Sequence, residues 1–172
     1  MTLKIRPETP ADYPAITEVN YIAFGQPGEG KLVENLRKSL KFVPELSIVA
    51  EADGKIVGHI LFSPIIIKSA AGKEKETISL APMSVRPEFQ KQGTGSELIR
   101  EGLKTCRQFG YDSVIVLGHP EYYPKFGLKQ TDTWGIKDPF GAPAEAFMAE
   151  LKKGVLEGTS GMVEYPEEFN EL

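Results

Sequence analysis

The sequence predicts a mixed α+β fold in one domain, with a sheet that is antiparallel in its first half and parallel at one junction. Three observations predict it. Asp53-Gly54 lies between two β-rich runs, "ELSIVAEA" and "KIVGHILFSPIII", which is a strong two-residue hairpin signal. Apolar residues recur at helical spacing in "YPAITEVNYIAF", "KLVENLRKSL" and "GSELIREGLKTCRQF". The succession strand, helix, strand between Thr77 and Leu117 makes its two strands parallel neighbours through a right-handed crossover.

Each element has a local reason. "LKIRPET" alternates as a strand and passes to a helix in which Thr9 caps, Pro10 takes the first position and Gly25 closes the end. Tyr13, Ile16, Asn20 and Ala23 keep its period. Beyond the turn-rich "GQPGEG", Leu32, Leu36 and Leu40 recur every four positions and mark a second helix. The hairpin follows, and polar "KSAAGKEKE" reverses the chain. "TISLAPMSV" is a strand stopped by Pro87, and Pro82 within it cannot donate to the ladder, so a bulge is expected around Ala81 to Ser84. Leu98, Ile99, Leu103, Cys106 and Phe109 trace one face of the next helix, which Gly110 ends. "DSVIVL" is a short buried strand and "HPEYYPKFG" a proline-strained turn. "LKQTDTWGI", "AFMAELKK" and "GMVEY" are the remaining strand candidates.

The chain has 172 residues, 41% hydrophobic and 26% charged, which fits one globular domain spanning 1–172. A formal charge of −4 argues against broad binding to nucleic acid or an anionic membrane, so a phosphate ligand needs a local site. One cysteine rules out an intramolecular disulfide, and no long uninterrupted apolar run or signal-peptide pattern is present. A soluble, reducing, cytoplasmic setting is expected. Nothing in the chain specifies an oligomeric state, and a homo-oligomer is compatible with it.

The chemistry concentrates in "SVRPEFQKQGTGSELI". The loop Gln90-Lys91-Gln92-Gly93-Thr94-Gly95 lies between the carboxyl end of a strand and the amino end of a helix, where unpaired amides and the helix dipole favour phosphate. Gly93 and Gly95 let backbone approach an anion closely, and Lys91 adds a charge. The loop lacks the Gly-Lys-Ser/Thr ending of a Walker motif and the third glycine of a dinucleotide fingerprint. A tight turn needing two glycines for geometry alone is the plainer alternative.

The passage "LAPMSVRPEFQKQGTGSELI" resembles the acyl-coenzyme A signature of the GNAT superfamily of N-acetyltransferases, Gln/Arg-x-x-Gly-x-Gly/Ala after a bulged strand, met here by Gln90, Gly93 and Gly95. Downstream, "YYPKFG" resembles the family's Tyr-x-x-x-Gly segment, met by Tyr123 and Gly127. The resemblance runs from the first strand to at least Trp134. It implies a mostly antiparallel sheet of about seven strands with helices on both faces and one splayed parallel pair. It further implies acetyl-CoA as cosubstrate, no metal, and direct transfer of acetyl to an amine. By the same resemblance the pantetheine arm bonds to backbone at Met83 and Val85, and the pyrophosphate sits on the amides of Lys91, Gln92, Gly93, Thr94, Gly95 and Ser96, with Gln90 opening the motif. The chain departs from many members in having no Asn before the tyrosine segment and in carrying Leu128 after its glycine.

Thioester aminolysis needs a proton for the departing thiolate, and Tyr123 is the candidate acid, with Tyr122 next in line. The plainer reading of Tyr123 is a packed ring whose hydroxyl bonds to backbone. His59 and His119 are the chain's two histidines, and lone histidines are more often structural than catalytic. Glu51 and Glu121 read most simply as solvated acids. Cys106, with no adjacent base, reads as a small core residue, and no metal-ligand spacing occurs. The function expected is acetyl-CoA-dependent N-acetyltransfer to a small-molecule or peptide amine of unspecified identity. A non-catalytic acyl-CoA-binding sensor is the alternative.

Overall fold

The computed structural model describes residues 2–140 and 143–171. Among the described residues nine strands and three α-helices succeed one another: β1 (Leu3–Pro7), α1 (Tyr13–Phe24), α2 (Gly28–Arg37), β2 (Ser47–Ala52), β3 (Lys55–Lys68), β4 (Glu74–Val85), α3 (Thr94–Gln108), β5 (Ser113–Leu117), β6 (Lys129–Gln130), β7 (Ile136–Lys137), β8 (Ala146–Glu150) and β9 (Gly161–Glu164). The hydrogen-bonded order is β1-β2-β3-β4-β5-β8-β6, and β9 pairs with β3 and β7. The two strands beyond the expected seven or so are the two-residue β6 and β7, too short to leave a period in the sequence.

The chain forms two compact units. The first holds Met1–Ser63, Ala81–Thr105 and Glu167–Leu172. In it β1, β2 and the first part of β3 form an antiparallel meander, with Ile5 opposite Ala50 and Ile48 opposite Ile60. Asp53 (φ 50°) and Gly54 (φ 78°) make the tight turn of that hairpin, as their pairing predicts. Ile16, Val19, Leu32, Val33, Leu36, Leu98 and Ile99 bring the apolar stripes of the helices into the core. Gly102 lies within α3 because of packing: a Cβ there would come 2.3 Å from the Phe62 ring.

The second unit holds Pro64–Leu80 and Cys106–Pro166. Its core gathers Ile65, Ile67, Ile115, Ile136, Met148, Leu156 and Val163, with Trp134 packed against them. The predicted parallel junction is present: Ile78 faces Val114 and Ser79 faces Ile115, and β4 runs on to Val85 beyond that ladder. β8 pairs antiparallel with β5 along its length, and a second, two-residue parallel ladder joins β7 to β9.

Three local expectations change. α2 ends at Arg37, so Leu40 continues the four-residue spacing of the sequence without its helix and is fully exposed. Phe109 lies just past α3 and is half exposed. Thr9 and Pro10 open a 3-10 turn, and α1 itself begins at Tyr13. Within β4 the Ala81–Pro82 peptide is cis.

Candidate active site

The end of β4 and the head of α3 both lie in the first unit. After Val85 the chain leaves the ladder, with the Arg86 amide donating to the Val57 carbonyl at 2.8 Å. It makes a 3-10 turn over Pro87–Phe89 and reaches the glycine loop. Two glutamine side chains fold back onto this turn: Gln90 Nε2 donates to the Val85 carbonyl at 3.0 Å and Gln92 Nε2 to the Glu88 carbonyl at 2.8 Å. Lys91 between them has φ 61°, in the left-handed region. Gly93 follows at φ 90°, with nothing within 4 Å of where a Cβ would stand.

The ladder of α3 opens with the Glu97 amide donating to the Gly93 carbonyl at 3.0 Å. The first-turn amides of Thr94 and Gly95 precede that bond, as first-turn amides do in any helix. Fifteen residues of aligned dipole lie behind them. Thr94 is buried, and its Oγ1 meets no hydrogen-bond partner among the described residues. The same holds for Ser84 Oγ on β4. A helix head with open space at Gly93 and an unsatisfied buried hydroxyl behind it is suited to an anion.

The predicted binding residues therefore differ in setting. Lys91, Gln92 and Gly93 are exposed, Gly95, Ser96 and Met83 half-buried, and Thr94 and Val85 buried. Gln90 is exposed, yet its amide is engaged with the Val85 carbonyl, one of the backbone groups expected to meet pantetheine.

Tyr123 belongs to the second unit. It opens a 3-10 turn, Tyr123–Phe126, that Gly127 closes at φ 85°. Its ring lies beside Gly118, where a Cβ would stand 2.2 Å from Cε2, and edge-on to Tyr122 at 5.2 Å between centroids. The side chain is buried, and no hydrogen-bond partner meets its hydroxyl among the described residues. The plainer reading, a hydroxyl bonded to backbone, is not what the structure has. Burial, with a smaller contribution from Tyr122, pushes the phenol up to about 12. Tyr122 itself is half-buried, packing against Phe126 and under Lys125.

His59 is part of a buried network in the first unit. Its Nε2 lies 2.9 Å from Ser47 Oγ, and Ser47 donates in turn to Glu8, which Arg37 grips with Nε and Nη2 at 2.9 Å each. Since the serine proton goes to the carboxylate, Nε2 carries the ring proton, and Nδ1 accepts the long 3.5 Å contact from Asn20 Nδ2. Burial holds this imidazole down at about 3, and it is neutral and fully enclosed. His119 is exposed. Burial likewise pushes the Cys106 thiol up to about 12, which suits a core residue. Among the described residues no three His, Cys, Asp or Glu side chains gather as a metal site requires, and no helix is long and apolar enough to cross a membrane.

Sequence reasoning missed Gly118 and Arg86. Gly118 matters through contact with a ring five residues on, and its place straight after a strand was the available signal. Arg86 is buried, with Nε donating to the Ile56 carbonyl at 3.0 Å and Nη1 reaching Glu18 at 3.3 Å, and no local pattern marked it.

The signature of the acetyltransferase (GNAT) family matches residues 13–127, from the start of α1 through the glycine after Tyr123. The chain belongs to the GNAT family. Among GNAT relatives it is 31% identical over 167 residues to the uncharacterized N-acetyltransferase YhbS of Escherichia coli K12, covering 96% of this chain and 98% of that one. It is 39% identical over 136 residues to the uncharacterized N-acetyltransferase YjhQ of the same organism, covering 78% of this chain and 75% of that one. The crystal structure of E. coli YhbS in complex with CoA superposes with a TM-score of 0.88 at 31% identity, over 98% of this chain and 92% of that one. A GNAT acetyltransferase from Brucella melitensis in complex with acetyl-CoA superposes at 0.80 with 33% identity, over 98% of both chains.

Proposed function

We propose that this GNAT protein is an acetyl-CoA-dependent N-acetyltransferase that passes acetyl directly to an amine. The observation that carries the reading is the head of α3, where first-turn amides, the open approach at Gly93 and the unpartnered Thr94 hydroxyl lie within the residues that the GNAT family signature matches, and two relatives are crystallised with CoA and acetyl-CoA. The amides of Lys91 to Ser96 hold the pyrophosphate, and backbone at Met83 and Val85 orients the pantetheine arm. The amide at one of these two positions polarises the acetyl carbonyl. The amine nitrogen bonds to the acetyl carbon, the carbon–sulfur bond breaks, and Tyr123 gives its hydroxyl proton to the departing thiolate. The amine's own proton leaves to water, which restores the phenol.

This reading takes 1–172 as one acetyltransferase domain in a reducing cytoplasmic setting. Calorimetry with acetyl-CoA, together with release of free thiol across an amine panel, tests it. Gly93→Val is the control, since a β-branched side chain at φ 90° is strained and fills the approach. Binding to the parent, loss in the folded variant and thiol release with an amine is the expected result. Unchanged affinity in Gly93→Val overturns the phosphate assignment, and binding without release for any amine leaves a sensor.

A further inference from the structure

We propose that Arg86 is a positioning residue for acetyl transfer: clamped between β3 and α1, its guanidinium fixes the peptide unit that Arg86 shares with Val85, and through Val85 the backbone that polarises the acetyl carbonyl. This rests on the acetyltransferase reading above and adds to it a residue outside the glycine loop, with a partner, Glu18, on α1.

The end of β4 needs such support. Its parallel ladder with β5 pairs Ile78 with Val114 and Ser79 with Ile115, and the strand runs on to Val85 without that neighbour. The Val85–Arg86 peptide is instead held at both of its polar ends. The Val85 carbonyl accepts from Gln90 Nε2 at 3.0 Å, and the Arg86 amide donates to the Val57 carbonyl at 2.8 Å. The Arg86 carbonyl then accepts from the Phe89 amide at 2.8 Å, which opens the 3-10 turn. The side chain adds a second set of anchors, Nε to the Ile56 carbonyl at 3.0 Å and both Nη atoms at 3.3 Å from one oxygen of Glu18. Turning this peptide would strain bonds to β3, to α1 and to the turn together.

Stability alone does not account for an arginine here. Arg6, Arg37 and Arg86 are the arginines of the described ion pairs. Arg37 is met at 2.9 Å by both oxygens of the enclosed Glu8, and Arg6 at 2.7 Å by Asp12. Arg86 has the most buried side chain of the three, 6% exposed, yet its carboxylate partner stands farther off and is 59% exposed. A buried charge compensated this loosely costs more than an apolar side chain of similar volume. What the guanidinium supplies in return is direction: a planar fork that reaches two elements at once. It does so at the residue next to the group expected to face the thioester, where a displacement of about 1 Å costs about 100-fold in rate.

The test uses an amine that the parent acetylates. It measures kcat and amine KM by thiol release, acetyl-CoA affinity by calorimetry, and melting temperature, on Arg86→Met, Arg86→Lys, Glu18→Ala and Glu18→Gln. Arg86→Met should lose about 10- to 100-fold in kcat per folded molecule, with acetyl-CoA affinity within about threefold because the phosphate amides are untouched. Arg86→Lys keeps the charge without the fork, and its kcat should lie between that of Arg86→Met and the parent. Glu18→Ala changes an exposed side chain and should melt within about 1 °C of the parent, yet lose about three- to tenfold in kcat. Glu18→Gln leaves an acceptor oxygen in place and should stay within about twofold. Normal kcat in a folded Arg86→Met overturns the proposal, and a lowered melting temperature beside that kcat would make the arginine structural. If Arg86→Met does not fold, Glu18→Ala decides, and unchanged kcat there overturns the proposal equally. A rise in amine KM alone in Glu18→Ala makes Glu18 a contact of the amine and also overturns the clamp. A parent that binds no acetyl-CoA, or acetylates no amine, is the separate outcome that defeats the acetyltransferase reading, and this proposal with it.

Discussion

Tyr123→Phe separates catalysis from packing because the two roles predict opposite readouts. The Tyr123 hydroxyl has no hydrogen-bond partner among the described residues, so its removal takes no intramolecular bond with it. The ring keeps its place beside Gly118 and Tyr122, and the melting temperature should shift by no more than about 1 °C. Had the hydroxyl been bonded to backbone, about 0.5–1.5 kcal/mol would be lost, or roughly 1–6 °C in a chain of this size. General acid catalysis contributes about 100-fold to 10,000-fold. A phenol held near 12 is a weaker acid than a thiol near 8.5, which places the loss toward the low end, about 100-fold in kcat, or ~3 kcal/mol in the barrier. Acetyl-CoA affinity should barely change, since the phosphate loop is untouched. The phenol stays protonated well past neutrality, so kcat should show no alkaline fall from its ionisation below about pH 11. The assay is continuous thiol release with a reactive amine, paired with calorimetry and a thermal melt on Tyr123→Phe and Tyr122→Phe. Full turnover in Tyr123→Phe with a lowered melting temperature would refute the reasoning, and loss of turnover in Tyr122→Phe alone would move the role there.

Gly118→Ala places a Cβ 2.2 Å from the Tyr123 ring and must displace it, so kcat should fall with Tyr123→Phe. The melting temperature should drop by roughly 2–12 °C for an overpacking cost of about 1–3 kcal/mol. Normal turnover in a folded Gly118→Ala would show that the ring position is immaterial. His59 is neutral when folded and takes a proton near 6.5 when unfolded, so stability is full above that value and falls as pH drops toward 3; urea melts in steps across this range should show the slope, and His59→Gln should flatten it. At the alkaline end, Tyr111, Tyr123 and Tyr165 are all held protonated by burial, whereas unfolded phenols ionise near 10. Stability should therefore be full below about pH 10 and decline above it in the same melts. Cys106→Ser should retain most of its turnover per folded molecule, and an acetyl group trapped on Cys106 in a mass spectrum would replace direct transfer by a two-step route.

Local chemistry fixed much of this protein before any tertiary contact is considered. Asp53-Gly54 specifies its own turn, Gly93 the loop before α3, and Gly110 and Gly127 the ends of their segments, because a left-handed backbone demand is met or refused by a single residue. The order strand, loop, helix, strand then leaves a parallel junction as its outcome, and the tandem signatures at Gln90–Gly95 and Tyr123–Gly127 identify the family. Tertiary structure decided what depends on residues distant along the chain. Leu40 and Phe109 keep the spacing of helices that have already ended, and only the packed structure shows that the first is left fully exposed and the second half exposed. Gly102 and Gly118 read as weak helix and loop residues until Phe62 and Tyr123 fill the space a side chain would occupy. His59 is enclosed by Ser47, Asn20 and, through Ser47, Glu8 and Arg37, residues whose convergence no sequence period encodes. The partner of a polar group is chosen by which chains of atoms the fold brings within three ångströms or so, and for Gln90 that choice was the carbonyl of Val85.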